Sequence, residues 1–175
     1  MNVGATILSA LKRFERMACG VAFLVMAAPL MADVARRLIV GSGILGAPQV
    51  AVVGMIAVAM FGIGVAADEG AHLRPRFLDG VFPKRWKPTI ETIAHALTAL
   101  FFAGLALIAF AVVDETRRLE DVNSVLRWPL WPVQAIIFLA FLLNAVRYAI
   151  YAVSPELRPI EEADRVPEAL EEARA

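Results

Sequence analysis

Two histidines are the side chains of this sequence best suited to bind a cofactor. His72 lies in or beside a basic stretch between two apolar segments, and His95 lies in the first two turns of the following apolar segment. A haem in a four-helix membrane bundle needs two histidines that face each other at one depth. Since no second histidine lies at the depth of His95, we expect a hydrogen-bonded interface histidine and no cofactor.

Motifs for enzymatic chemistry are absent from the sequence. It contains no G-x-S-x-G nucleophile elbow, no H-E-x-x-H zinc pair and no phosphate-binding loop. The single cysteine, Cys19, lies within an apolar segment, which excludes an intramolecular disulfide and a cysteine-rich metal site. The sequence therefore predicts that this chain is not an enzyme and holds no metal.

Acidic residues deep inside a membrane span usually mark a path for ions or protons. Here Asp33, Glu91, Asp114 and Glu115 all lie near the ends of apolar segments. The Gly/Pro-interrupted helix pairs that form transporter binding sites are also missing from the pattern. These features are typical of a helical membrane subunit that depends on a partner and does not carry a solute alone.

The apolar segments predict the fold that must position these residues. Of 175 residues, 59% are hydrophobic and 19% charged, whereas soluble domains have about a quarter charged residues. A bilayer core about 30 Å thick requires roughly 20 residues of apolar helix. We predict an all-α integral membrane protein with one four-helix domain and an acidic cytoplasmic tail. The predicted domain is residues 1–155, with spans at 17–40, 49–67, 92–113 and 130–153, and the tail is 156–175.

The first residues leave three interpretations open. Ile7, Leu11 and Phe14 fall at helical spacing among basic residues, which suits a helix in the membrane interface or a solvated start of the first span. A cleaved signal peptide would also begin with basic residues, but the small-residue cleavage pattern is poor.

With a formal net charge of zero, the chain has no overall field that would attract nucleic acid.

Charged and small residues suggest how the spans are held. Asp33 lies three and four residues before Arg36 and Arg37, so an ion pair within the helix is available at the outer end of the first span. Small residues allow close approach between membrane helices. In the second and third spans they include Gly54, Gly62, Gly64 and Gly104.

A basic loop determines the predicted orientation. Residues 70–88 hold five Lys and Arg between the second and third spans, and short basic loops stay on the cytoplasmic side. Twelve Lys and Arg fall on that side and five on the other, so both termini are predicted to be cytoplasmic. We expect His72 and Arg74 to order this loop or to hold a lipid phosphate, and Arg74, Arg76 and Trp86 to contact phospholipid.

The fourth span carries interface residues at both ends. Trp128 and Trp131 open it, and two tryptophans at one end of a span act as an interface anchor. Arg147 lies near its other end, where we expect its long side chain to reach lipid headgroups by snorkelling.

Short motifs follow one another in a distinctive order along the chain. They are Asp33-Val34 with Arg37, Gly46-Ala47-Pro48, Gly70-Ala71-His72-Leu73-Arg74 with Pro83, Glu91, and Trp128-Pro129 with Trp131. Over about residues 14–155, their order and spacing resemble the small membrane subunit of tripartite ATP-independent periplasmic (TRAP) transporters. Gln49 and Arg76 depart from the family's pattern, because many members carry acidic residues near these positions.

The resemblance implies a function in the bacterial inner membrane. In this family a periplasmic protein delivers a substrate, usually an organic acid anion, to a large subunit that carries it together with sodium. The small subunit binds the large one and enlarges its rigid scaffold. The resemblance thus implies both of these partners, and it places sodium coupling in the large subunit and not in this chain.

The site residues expected under this resemblance have structural roles. The candidates for structural or interface roles are Asp33, Arg36, Arg37, His72, Arg74, Glu91, Trp128 and Trp131. Arg117, Arg118 and Glu120 face the compartment of the periplasmic protein and are candidates for docking it, although a solvated loop would show the same residues. Two other functions stay open, the membrane anchor of an oxidoreductase and a small homo-oligomeric exporter.

The predicted orientation can be tested by cysteine labelling of single-cysteine variants. A membrane-impermeant reagent added outside the cell membrane should label a cysteine at Asn123 and should not label one at Asp79. The reverse labelling pattern would overturn the orientation.

Overall fold

The computed structural model describes residues 3–69 and 87–159 of the chain. It contains four α-helices that are each long and apolar enough to cross a membrane, which confirms the predicted fold class. They are α1 (Val3–Val40), α2 (Ala47–Asp68), α3 (Lys87–Arg118) and α4 (Trp131–Val153), with a short 3-10 turn at Pro155–Leu157. The predictions for His72, Arg74, Arg76, Trp86 and the acidic tail beyond residue 159 fall outside the described residues.

α1 is one continuous helix of 38 residues. At 1.5 Å per residue it is about 57 Å long, well above the roughly 30 Å of a bilayer core, so it extends beyond the hydrocarbon or tilts within it. Residues 6–16, for which a separate interfacial helix was one expectation, form its first turns. α1 ends at Val40, where Gly41 adopts a φ of 74° and its amide donates to the Arg37 carbonyl at 3.1 Å.

Prolines mark the starts of α2 and α4. Pro48 and Pro132 lie in the first turns of these helices, where the amide hydrogen that proline lacks would have no partner within the helix. Gly46, directly before α2, has a φ of 88°, a conformation that a residue with a side chain rarely adopts. The α1–α2 connection is therefore a tight turn between two long helices.

The helices form two antiparallel hairpins that meet through α2 and α4. α1 packs along α2, α3 packs along α4, and contacts between α2 and α4 join the two hairpins. The outer helices α1 and α3 expose large apolar side chains, among them Leu24, Met31, Leu100 and Leu107, which are between 65% and 73% exposed. In a membrane, such surfaces face lipid tails or the helices of another subunit.

Glycine allows α1 and α2 to approach closely at one level. A Cβ atom added at Gly54 would lie 2.6 Å from the Met26 amide nitrogen and 2.8 Å from its Cα. By contrast, no atom lies within 4 Å of the position that a Cβ would take at Gly62 or Gly104. Gly62 and Gly104 therefore make no close helix contact within the described part of this chain, because composition shows that a residue is small but not which way it faces.

Substitution of Gly54 should therefore destabilise the bundle more than substitution of Gly62. Gly54→Ala forces α1 away from α2 and should cost about 1–3 kcal/mol, as overpacking usually does. Gly62→Ala is the matched control, and we expect it to be neutral or slightly stabilising because alanine is the better helix former. Thermal unfolding of both variants in detergent measures the difference; equal midpoints would contradict the close approach at Gly54.

Candidate functional site

A buried ion pair joins the first helix to the last. Arg147 of α4 is 0% exposed and Glu15 of α1 is 1% exposed, and Arg147 Nη2 donates to Glu15 Oε2. Arg147 Nη1 donates to Asn144 Oδ1 at 3.3 Å, and the amide of Asn144 donates to the Ala140 carbonyl at 2.9 Å. A guanidinium removed from water in this way is stable only with such partners, because the cost of desolvating it is several kcal/mol.

Asp68 brings the end of α2 into the same cluster. Its Oδ1 lies 3.8 Å from Arg147 Nε and accepts a hydrogen bond from the Tyr151 hydroxyl at 3.3 Å. Its Oδ2 lies 3.2 Å from Lys12 Nζ, which belongs to α1. We call Lys12, Glu15, Asp68, Asn144, Arg147 and Tyr151 the buried charge network. Its two carboxylates are matched by two cations, of which Arg147 is buried and Lys12 reaches Asp68 with a side chain that is 43% exposed.

Gly64 on α2 leaves the space that the Glu15 carboxylate of the network occupies. A Cβ added at Gly64 would lie 2.6 Å from Glu15 Oε2, so any side chain there would displace the carboxylate. Around the buried charge network, an apolar cluster excludes water. It contains Leu8, Ala67, Ala145, Tyr148 and Tyr151. In this low-dielectric surrounding, opposite charges attract more strongly than at a solvated surface.

Aromatic rings connect α3 to the network. The His95 ring lies 5.9 Å from the rings of both Tyr148 and Tyr151, and the Phe102 ring is stacked on Tyr148 with centroids 5.7 Å apart. Offset-stacked and edge-to-face ring pairs of this kind add stability beyond the area they bury. His95 therefore lies in a ring cluster at the helix interface, and within residues 3–69 and 87–159 no group of His, Cys, Asp or Glu could hold a metal ion.

Arg158, just after α4, makes a second link to α3. Its Nη2 donates to Thr92 Oγ1 at 2.8 Å, its Nη1 lies 3.4 Å from Glu91 Oε2, and its Nε donates to the Tyr151 carbonyl at 2.9 Å. Glu91, a predicted structural residue, thus joins the start of α3 to the end of α4. All four helices are tied together at the end of the bundle where the chain is most basic.

The expectation that Arg147 snorkels to lipid headgroups is wrong. Its side chain is fully buried and points toward Glu15 and Asp68. Position along a span indicates depth in the membrane, but not whether a side chain faces lipid or another helix. The signal available in the sequence was the presence of opposite charges at similar depth in three different spans: Glu15, Asp68 and Arg147.

Asp33 organises the opposite end of the α1–α2 hairpin. Its Oδ2 accepts a hydrogen bond from Arg37 Nε at 2.8 Å, and its Oδ1 accepts one from the Ile44 amide at 2.5 Å. Arg36 Nη1 donates to the Gly43 carbonyl at 3.3 Å. Asp33 is 5% exposed, so this carboxylate is buried among donors from its own helix and from the following turn.

The candidate docking residues lie at the end of α3 and at the start of its connection to α4. The Arg117 guanidinium lies 5.8 Å from the centre of the Trp131 ring, and Arg118 Nη2 lies 2.7 Å from Asp114 Oδ2. Glu120 has a positive φ of 54°, so the chain bends sharply there. The side chains of all three residues are exposed.

Asn123 and Trp128 close this connection. Asn123 Oδ1 accepts hydrogen bonds from the amides of Val125 and Leu126, and the amide of Asn123 donates to the Trp128 carbonyl at 2.9 Å. The Trp128 and Trp131 rings are 38% and 39% exposed at the start of α4.

Comparison with known protein families decides the identity of the chain. Residues 26–156 match the family model described as tripartite ATP-independent periplasmic transporters, DctQ component. The chain belongs to the DctQ family. It is therefore a membrane component of a TRAP transporter and not an enzyme. No curated protein and no solved structure matched the chain in the other two comparisons.

The matched DctQ region contains only part of the buried charge network. Asp68, Asn144, Arg147 and Tyr151 lie within residues 26–156, whereas Lys12 and Glu15 precede them. The long N-terminal part of α1 thus supplies the partners of Asp68 and Arg147. In this DctQ chain, the N-terminal part of α1 is tied to α2 and α4 by residues outside the matched region.

Loss of one partner in the network should destabilise the protein strongly. Arg147→Met leaves two buried carboxylates with one cation and should cost about 3–5 kcal/mol. The double variant Glu15→Leu/Arg147→Met leaves Asp68 paired with Lys12 and should recover much of that loss. Unfolding in detergent, arranged as a double-mutant cycle, measures the coupling.

An exposed ion pair provides the control for this cycle. Arg118 and Asp114 have side chains 77% and 44% exposed, so Asp114→Asn should change stability by about 0–1 kcal/mol. If Arg147→Met cost no more than Asp114→Asn, the buried network would not hold the helices together.

Proposed function

We propose that this chain is the scaffold subunit that binds and braces the large, solute-carrying subunit of a TRAP transporter in the bacterial inner membrane. The observation that supports this most is the arrangement of its buried charges. Among the described residues, Glu15, Asp33 and Arg147 are buried and each forms an ion pair within the chain. Charges committed to one another in this way stabilise a fixed bundle, whereas carboxylates that serve a path for ions are left open to it.

The large exposed apolar surfaces of α1 and α3 support a membrane partner. A helix that packed only within this bundle would bury one face, yet both outer helices keep long rows of exposed Leu, Ile, Phe and Val. Helix association in a membrane depends on packing and on polar contacts, since lipid tails are as apolar as leucine. A rigid bundle with two apolar outer helices is suited to extend the scaffold of a larger subunit.

Transport chemistry is assigned to the partner subunits in this proposal. The large subunit carries the substrate, an organic acid anion, together with sodium, and a periplasmic binding protein delivers that anion. The end of α3 would contribute to docking, because the exposed guanidinium groups of Arg117 and Arg118 contact Trp131 and Asp114 there. Preorganised charged groups of this kind favour association with a partner of complementary charge.

The proposal predicts that uptake requires this chain although the chain carries nothing itself. A strain that lacks it should lose sodium-dependent uptake of the anion bound by the periplasmic protein, and the wild-type chain should restore it. The variant Glu69→Gln breaks an exposed ion pair with Arg16, far from the proposed docking residues; it should also restore uptake and serves as the matched control. The chain should co-purify with the large subunit at a one-to-one ratio.

A different result would exclude this function. If the purified chain formed a stable homo-oligomer that moved solute into vesicles without any other protein, the scaffold proposal would be wrong.

A further inference from the structure

An apolar groove runs along the outside of the α1–α2 hairpin. Its walls are formed by Phe14, Met17, Val21 and Val25 of α1, by a facing row of α2, and by Ile136 of α4, and its volume is about 470 Å³. Met17 and Val21 are 66% and 60% exposed, so the groove opens to the surroundings of the bundle and is not an internal cavity.

The floor of the groove is made by small residues. Ala18 and Ala22 of α1 and Gly54 and Ala57 of α2 lie along it, and the edge-to-face pair of Phe14 and Phe61 closes one end, with ring centroids 5.9 Å apart. Because small side chains lie between larger ones, the two helices touch at their backbones while a furrow remains above the contact.

The length of the groove matches one leaflet of a membrane. From Phe14 to Val25 the helix rises about 16 Å at 1.5 Å per residue, roughly half of the 30 Å bilayer core. The Phe14 end lies next to the basic turns of α1, where the apolar span begins. The groove therefore starts at the basic end of the first span, and its length is close to the thickness of one leaflet.

One cation at the groove entrance forms no ion pair with residues 3–69 or 87–159. Lys12 pairs with Asp68, Arg16 pairs with Glu69 at 3.0 Å, and Arg147 pairs with Glu15. Arg13 is exposed, and in the described part of the chain it takes part in none of these pairs. It lies four residues before Met17, on the same side of α1, so its guanidinium can reach the groove entrance.

We propose that this groove binds one anionic phospholipid of the leaflet on the basic side of the protein. Its phosphate contacts Arg13, and one acyl chain lies along α1 and α2 from Phe14 to Val25. The entrance supplies a positive charge that has no acidic partner among the described residues, and the residues that line the groove are apolar. None of its residues is among Arg74, Arg76 and Trp86, the lipid contacts expected from the sequence, which fall outside the described residues.

The bound chain would fill the furrow that the small residues leave. Contacts between closely packed apolar atoms are individually weak but add up along a whole acyl chain. The lipid would thereby support the part of α1 that lies between the buried charge network and the close contact at Gly54.

Native mass spectrometry of the purified full chain with added phosphatidylglycerol or phosphatidylcholine tests the proposal. We expect phosphatidylglycerol to remain bound in preference to phosphatidylcholine. Arg13→Ala should reduce its affinity about fivefold, the change expected for one basic residue near a charged lipid surface, and Arg13→Lys should retain most of it. Ala18→Leu, which fills the floor, should weaken binding of the acyl chain whatever the headgroup.

Matched controls separate this site from general lipid contact. Arg127→Ala removes an exposed arginine at the opposite end of the bundle, and Ala111→Leu enlarges an exposed alanine on α3. Neither should change phosphatidylglycerol binding. Unchanged thermal unfolding of the lipid-free Arg13→Ala protein shows that any loss of binding is not a loss of fold.

Photocrosslinking in the assembled transporter identifies the occupant directly. A photoreactive residue in place of Val21, which lines the groove and is 60% exposed, should capture phospholipid. Crosslinks to the large subunit or to a second copy of this chain would overturn the proposal. The proposal would also be wrong if the wild-type protein and Arg13→Ala each retained phosphatidylglycerol and phosphatidylcholine equally. Either result would leave the scaffold function untouched.

Discussion

A guanidinium and a carboxylate that have both left water must remain together, and this requirement holds the bundle in one arrangement. Arg147 and Glu15 lie on the last and first helices and are fully buried, and Asp68 adds the end of the second helix. Separation of these groups inside a membrane would leave an unpaired charge in an apolar surrounding, which costs several kcal/mol. Any movement of α1 away from α4 therefore carries a large penalty.

The rest of the bundle depends on this constraint because lipid offers little drive for apolar helices to associate. At one end, the buried charge network ties α1, α2 and α4, while His95 and Arg158 bring in α3. At the other end, Asp33 ties α1 to the turn before α2. Between these two ends, the helices rely on close packing such as that at Gly54. The result is a bundle tied at one end and an α1–α2 hairpin closed at the other, which suits the bracing role proposed for this DctQ subunit.

The number and approximate extent of the helices could be predicted, since an apolar stretch of about 20 residues has few alternatives to a membrane helix. The proximity of Asp33 to Arg37 could also be predicted, because residues four apart on a helix are neighbours. The network could not be assembled in the same way. Glu15 and Arg147 are 132 residues apart in sequence, and hydropathy shows at what depth they lie but not which helix each one faces. Gly62 and Gly104 illustrate the same limit, because their size was compatible with a helix contact that neither makes.

The rigidity of the bundle during transport is the central claim, and distance measurements between spin labels test it most directly. With Cys19 replaced by serine, labels at Leu24 on α1 and Ile108 on α3 report on the two outer helices, since both positions are exposed. In the assembled transporter, the account predicts one distance distribution that stays the same with and without sodium and substrate. A second distance that appears or grows when sodium or substrate is added would show that the bundle itself moves, and would contradict the account.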